Sequence, residues 1–403
     1  MRTQINVKYL EHPDIQQADS ILRSCVHCGF CNATCPTYQE LGDERDGPRG
    51  RIYLIKQMLE TGEVSEKTQT HLDRCLSCRS CETTCPSGVK YGRLAEIGRD
   101  IMEDQLPRPM DQKALRWLIR KVLPYPNRFG FFLRIGQMLR AFLPRSLKTK
   151  VPERQLKLSL PVQQHTRQML VLAGCAQPVA TPNTNIVAAR VLDKLGISLL
   201  TAPEAGCCGA VSYHLSAHEE GLAFMRRNID AWWPYIEAGV EAIVISASGC
   251  GSMVKEYGEK LSHDSAYAAK AQRVGELAKD LGEVLVKEDL SQLQLQGLGR
   301  KTAVHCPCSL QHAQQLGGLV EQILQQAGVE LTRTQNGHLC CGSAGTYSIL
   351  QPEMSQQLLS NKLRDLTVGN PEQIVTANIG CQLHLGTKSS VPVKHWIELL
   401  DPQ

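Results

Sequence analysis

The pattern of apolar and polar positions changes character twice along the chain. Up to about residue 105 it is helical. Gly47-Pro48-Arg49-Gly50-Arg51 leads into Ile52-Tyr53-Leu54-Ile55-Lys56-Gln57-Met58-Leu59. A proline in the first turn, apolar residues at helical spacing and a stop near Gly62 predict a helix. A second helix is predicted from Lys90 to Gln105, ended by Pro107 and Pro109. From 106 to about 167, Pro124, Pro126, Pro144, Pro152 and Pro161 cut the chain into short helices.

From residue 168 the pattern turns α/β, and it repeats. Each half opens on a short apolar run, Met169-Leu170-Val171-Leu172 or Thr302-Ala303-Val304. A helical stretch follows, ending near Gly196 or Gly328, and then a second strand-like run. After a further long helix comes a third strand, Ala242-Ile243-Val244-Ile245 or Gln373-Ile374-Val375-Thr376. Alternation of this kind predicts a small parallel sheet in each half, covered by helices. Cysteines repeat with the same period. Cys175, Cys207, Cys208 and Cys250 recur as Cys308, Cys340, Cys341 and Cys381, at offsets of 133, 133, 133 and 131 residues. They fall in loops beyond the carboxyl ends of the strands, where sites gather in open parallel sheets.

Composition sharpens this picture at two points. Seventeen of the 403 residues are cysteine. A disulfide framework needs an oxidising compartment, but the N-terminus shows no apolar signal core and no twin arginine. The expectation is a cytoplasmic protein with metal-bound thiolates. No apolar run approaches the ~18–20 residues of a membrane-spanning helix. Charge is concentrated from Arg108 to Lys157, with thirteen Lys or Arg against Asp111 and Glu153. Four of the six phenylalanines, Phe129, Phe131, Phe132 and Phe142, lie there too. Three readings fit this segment: contact with an anionic inner-membrane surface, docking of a partner subunit, or a solvated connector.

The candidate chemistry sits in two runs fifty residues apart. Cys25-Val-His-Cys28-Gly-Phe-Cys31-Asn-Ala-Thr-Cys35-Pro36 and Cys75-Leu-Ser-Cys78-Arg-Ser-Cys81-Glu-Thr-Thr-Cys85-Pro86 share the bacterial ferredoxin spacing for a [4Fe–4S] cluster. In that pattern the fourth cysteine ligates the other run's cluster. One cluster is expected on Cys25, Cys28, Cys31 and Cys85, the other on Cys75, Cys78, Cys81 and Cys35. A helix joins the two runs, so the fold class expected is α plus α/β. It comprises an α-helical ferredoxin domain (1–105), a basic aromatic connector (106–167) and two cysteine-rich repeats (168–295 and 296–403). The repeat cysteines hold a cluster in each half, a cluster in one half, or no metal. Cys306 breaks the repeat and has no assigned role. His27, His305, His312 and His338 lie near cysteines and read as packing or hydrogen-bonding residues. No dinucleotide fingerprint, P-loop or nucleophile elbow is visible, and Gly206-Cys207-Cys208-Gly209 lacks the glycine spacing of a phosphate cradle.

These features together resemble the heterodisulfide-reductase-like iron–sulfur subunits, within them most closely the glycolate oxidase iron–sulfur subunits. The stretches that carry the likeness include Asp46-Gly-Pro-Arg-Gly-Arg-Ile-Tyr-Leu-Ile-Lys-Gln57, Leu172-Ala-Gly-Cys-Ala-Gln-Pro178, Asp230-Ala-Trp-Trp-Pro-Tyr-Ile-Glu-Ala-Gly239, His305-Cys-Pro-Cys308, Cys340-Cys-Gly-Ser-Ala-Gly-Thr-Tyr347 and Thr376-Ala-Asn-Ile-Gly-Cys381. The resemblance implies a complex in which flavin-bearing subunits oxidise glycolate to glyoxylate. This chain then carries electrons towards the quinone pool. Sibling readings are the iron–sulfur subunit of a lactate or an anaerobic glycerol-3-phosphate dehydrogenase. Outside that class stand a thiol–disulfide enzyme and a redox-sensing or scaffold protein. One departure bears on the choice. Heterodisulfide reductases end each repeat in Cys-x-x-Cys, whereas the corresponding ends here are Cys250-Gly-Ser-Met253 and Cys381-Gln-Leu-His384. Met253 is a weak ligand, and His384 is the one histidine expected to be able to replace a missing cysteine.

Overall fold

The computed structural model describes residues 1–144, 148–295 and 298–402. Arg145 of the basic segment lies outside the described residues. The chain divides into two units, Met1–Leu115 with His338–Leu358, and Arg116–Gly337 with Leu359–Gln403.

The first unit is helical: α1 (Ile15–Ser24), α2 (Pro48–Thr61), α3 (Glu66–Asp73) and α4 (Tyr91–Gln105). Helix α2 begins at its first-turn proline and stops at Gly62, whose φ of +79° ends the last turn in the left-handed conformation. It buries Ile52, Ile55, Met58 and Leu59 on one face. Helix α4 buries Leu94, Ile97, Gly98, Ile101 and Met102. A methyl group on Gly98 would come within 2.8 Å of Ile55 Cγ1, so glycine is what lets α2 and α4 approach. Leu22 of α1 and Leu72 of α3 complete the core. Both helices that the sequence predicts are present, with α4 starting at Tyr91 rather than Lys90.

Two further helices follow, α5 (Met110–Val122) and α6 (Pro126–Leu139). Their ends match the prolines: α5 stops before Pro124, and α6 starts at Pro126. Within the second unit, Tyr125 packs edge-on against Phe224, with ring centroids 5.7 Å apart. Arg120 and Lys121 pair with Glu220 at 3.2 and 3.1 Å. Phe131, Phe132 and Phe142 are exposed nonetheless, as are Trp117, Met138 and Leu139.

The rest of the second unit carries two parallel sheets. The first comprises β1 (Arg167–Val171), β2 (Ile197–Leu200), β3 (Ile243–Ile245) and β4 (Ala278–Asp280), in the order β2-β1-β3-β4. Helices α7 (Asn183–Lys194), α8 (His218–Glu237), α9 (Ser248–Lys255) and α10 (Ala268–Leu277) connect them. The second comprises β5 (Thr302–His305), β6 (Gln373–Thr376) and β7 (Val393–His395), in the order β5-β6-β7. Its helices are α11 (Leu319–Gln326), α12 (Pro352–Leu366) and α13 (Ile379–Gly386). Parallel pairing and helical cover agree with the sequence pattern. In the second repeat, however, the run after Gly328 makes only a single bridge, Thr302 to Leu331. The third strand of this sheet is instead β7 on the opposite edge, beside β6, as β4 lies beside β3 in the first repeat; neither three-residue strand is foreseen from the sequence pattern.

One hydrophobic core serves both sheets. Met169, Val187, Leu192 and Val244 of the first repeat share it with Val304, Ile323, Val375 and Trp396 of the second. The carboxyl ends of β3 and β6 meet across it. Ser248 N–H donates to Ala377 O at 3.0 Å, and His395 Nε2 lies 2.8 Å from Ser246 O.

Candidate functional site

Each cysteine run closes on itself through paired left-handed residues. His27 and Gly29 have φ of +55° and +85°, and Ser77 and Arg79, at the matching positions, have +52° and +60°. Arg79 therefore holds a conformation that glycine takes without cost in the first run. Single helical turns, Phe30–Ala33 and Ser80–Thr83, then carry the third cysteine of each run.

The runs line two hollows. Cys25, Cys28, Cys31 and Cys85 line the first, with Val26, Ile52 and Pro86. Cys35, Cys75 and Cys78 line the second, with Thr37, Arg51 and Tyr91. Cys81 borders both. Its electrostatic neighbours decide its set. Burial raises the Cys81 thiol most, and then Cys78, Cys75 and Cys35 add to it. Burial likewise pushes the Cys31 thiol up to about 11, with Cys25, Cys85 and Cys28 contributing. Cys31 thus has Cys25, Cys28 and Cys85 as neighbours, and Cys81 has Cys78, Cys75 and Cys35. Four thiols facing one hollow fit the donor chemistry of a [4Fe–4S] cluster, which takes four thiolates.

The second hollow has cations that the sequence reading missed. Arg51, 1% exposed, donates from Nε to His71 O at 2.7 Å and from both terminal nitrogens to Thr37 Oγ1. One of those nitrogens lies 4.0 Å from Cys35 Sγ. Asp46, equally buried, bonds Arg51, Arg74 and His71. Arg99 of α4 donates to Leu72 O and Cys75 O, both at 2.7 Å. Burial works to raise the Cys75 thiol, but Arg51 and Arg99 outweigh it and hold that thiol low. Tyr91 Oη and Ser77 N–H also donate to Cys75 Sγ, at 3.5 and 3.4 Å. The signal was in Gly47-Pro-Arg-Gly-Arg51, read only as a helix start. The Tyr347 hydroxyl, from the 338–358 segment, donates to Arg74 O at 3.0 Å in the same unit.

The first repeat assembles a third set of thiols. Cys175 follows β1, Cys207 and Cys208 follow β2, and Cys250 sits in α9 after β3, all at the carboxyl edge of the sheet. Side-chain hydrogen bonds link Cys175 to Cys207, Cys207 to Cys208, and Cys208 to Cys250. Asn228 fixes the turn, accepting from Gly206 N–H and donating to Cys207 O, both at 2.8 Å. Tyr257 Oη donates to Cys208 O at 2.9 Å. Gly209 is required here, because a Cβ would lie 2.7 Å from Gly221 O. Met253, at the place of a fifth cysteine, is a core residue 2% exposed.

In the second repeat, Cys308 follows β5 and Cys381 lies in α13, both in the second unit. Cys340 and Cys341 belong to the first unit. Burial pushes the Cys306 thiol up to about 12, with Glu321 adding to the effect, and the side chain packs against the core shared by the two sheets.

Similarity to known proteins follows the same division. Residues 21–89 match the 4Fe-4S dicluster domain, and 169–255 and 302–386 each match the cysteine-rich CCG domain. The chain is thus built to carry iron–sulfur clusters. It is 56% identical over 402 residues to the glycolate oxidase iron-sulfur subunit of Escherichia coli (strain K12), covering 100% of this chain and 98% of that one. It is 29% identical to the probable glycolate oxidase iron-sulfur subunit of Bacillus subtilis (strain 168), covering 99% and 98%. Lactate utilization protein A of Bacillus velezensis is 27% identical over 240 residues, covering 56% of this chain and 96% of that one. With crossed cysteine sets in a dicluster domain, two cysteine-rich repeats and identity along its whole length, the chain belongs to the glycolate oxidase iron–sulfur subunits.

Proposed function

We propose that this chain is the electron-transfer subunit of a complex that oxidises glycolate to glyoxylate. Flavin-bearing partner subunits act on the substrate, and electrons leave towards the quinone pool. The observation that carries this reading is 56% identity extending over the whole chain to a glycolate oxidase subunit. The lactate-utilisation relative aligns with only 56% of the chain, which favours glycolate over lactate.

On this reading Cys25, Cys28, Cys31 and Cys85 hold one cluster, and Cys75, Cys78, Cys81 and Cys35 the other. Bound clusters supply one-electron steps between a two-electron donor and an acceptor. The chain's own residues set where charge is stabilised: Arg51 and Arg99 lie at the second set, and Cys28 is exposed at the first. Cys175, Cys207, Cys208 and Cys250 form a thiol cage able to hold a further cluster.

The test is reconstitution. Purified with its flavoprotein partners, the complex should reduce a quinone analogue with glycolate far faster than with lactate. The isolated chain should oxidise neither. Glycolate oxidation by the chain alone would refute the division of labour, and a preference for lactate would refute the substrate.

We further propose that the segment from Arg108 to Lys157 rests on the inner-membrane surface, the protein otherwise facing the cytoplasm. Among the described residues no helix is long and apolar enough to cross a membrane. Exposed Phe131, Phe132 and Phe142 beside a concentrated positive charge suit an anionic interface. Reversing Arg134 and Arg140 to Glu should release the complex from anionic vesicles at moderate salt. Unchanged partition would favour the connector reading.

A further inference from the structure

His305 ends β5, in register with Thr376 at the end of the neighbouring strand β6. Its side chain is buried, 2% exposed, and neither Nδ1 nor Nε2 has a hydrogen-bond partner. Buried polar groups in folded proteins are nearly always paired, so an imidazole with both nitrogens orphaned needs a reason. A ring nitrogen lies within 4.8 Å of Cys381 Sγ, itself buried in the first turn of α13. Asn378 Nδ2 approaches the same sulfur at 3.5 Å, the kind of donor that steadies a thiolate. Cys308 follows three residues beyond His305. Neutral imidazole is the form that binds metal.

We propose that His305 is an iron ligand in the second repeat, acting with Cys381. This rests on the reading that the second repeat carries metal. It reverses the sequence expectation, which passed over His305 and favoured His384, three residues along α13 from Cys381. A mixed histidine–thiolate iron differs chemically from the all-thiolate centres of the two ferredoxin runs. Replacing a thiolate by neutral imidazole removes a negative charge and raises the reduction potential, as in Rieske centres.

The full-length chain, reconstituted anaerobically with ⁵⁷Fe and sulfide, tests this by iron analysis and Mössbauer spectroscopy, which sees iron in every spin state. The wild type should hold more than the about eight irons of two [4Fe–4S] clusters. It should also show a component with the larger isomer shift of nitrogen-ligated iron. His305→Leu and Cys381→Ala should both lose that component and the excess iron, leaving the ferredoxin-type signals intact. His305→Cys should keep the iron and convert the component to an all-sulfur spectrum. If Cys381→Ala loses iron but His305→Leu does not, the second repeat is metal-bearing and the proposed role of His305 is wrong. If neither substitution lowers the iron content, the metal-bearing reading of this repeat falls together with the proposal.

Discussion

The two hollows of the first unit are built on one cysteine spacing and have different surroundings. At the first, Cys28 is exposed, the lining is largely apolar, Val26, Ile52 and Pro86 among it, and its one guanidinium, Arg49, is part-exposed and paired with Glu44. The second has a buried guanidinium beside Cys35, another guanidinium bonded to Cys75 O, and a tyrosine hydroxyl on Cys75 Sγ. A cation near a centre that gains an electron stabilises the reduced form. With clusters bound, the second hollow would therefore have the higher potential, while the first has the exposed cysteine. On the proposed reading, electrons entering near Cys28 would run downhill towards Arg51. Identical ligand motifs need not be equivalent sites, because direction is set by residues outside the motif.

The comparison breaks most severely if its members are not separate. Cys78→Ala should remove one cluster, about four irons per chain, and abolish glycolate-dependent reduction of a quinone analogue. Iron analysis and turnover check this, and full activity would take the second hollow off the route. A smaller effect is expected from Arg51→Gln. Redox titration followed by EPR should show one midpoint potential falling while the other stays, with Arg51→Lys between wild type and Gln. If both midpoints shift together, the asymmetry does not originate in Arg51. The smallest effect on the hollows should come from acid acting on the second unit.

His395 is the group to watch in that titration. Ser246 O can only accept, so Nε2–H donates to it, and Nδ1 accepts from Ile397 N–H at 3.3 Å. Burial holds this neutral imidazole at a pKa of about 4, against an ordinary 6.5. The unfolded chain takes up a proton near pH 6.5 and the folded chain only near 4. Stability present above pH 6.5 is therefore lost as pH falls towards 4, by about 3 kcal/mol in all. Denaturant melts should show that slope, and His395→Gln should flatten it. The cluster signals of the first unit should stay unchanged while the second unit loosens.

Local rules carried the sequence reading where local physics decides the structure. Pro48 and Gly62 mark the ends of α2 because a proline fits a first turn and a glycine takes positive φ without strain. That the two cysteine runs belong to a dicluster domain was legible from spacing alone, because ligand geometry limits how thiols are spaced around a cluster. The failures are nonlocal. Arg51 acquires its role from Thr37, Asp46 and His71, which no periodicity links to it. Strands β4 and β7, three residues each, are too short to alternate visibly and exist because a neighbouring strand offers its edge. His305 looked like any histidine beside a cysteine. Only its burial without a partner, next to Cys381, distinguishes it from His384.

The first unit is not continuous in sequence: its last piece is His338–Leu358. On a ribosome making about 5–20 residues per second, the gap of roughly 220 residues between Leu115 and His338 takes on the order of ten to fifty seconds to emerge. Until then the ferredoxin runs lack Tyr347, the side chain bonded to Arg74 O in the finished unit. Any cluster inserted during synthesis would thus enter a unit that still lacks this bond. The length of the intervening chain therefore sets a delay between the making of the cysteine runs and the completion of their unit.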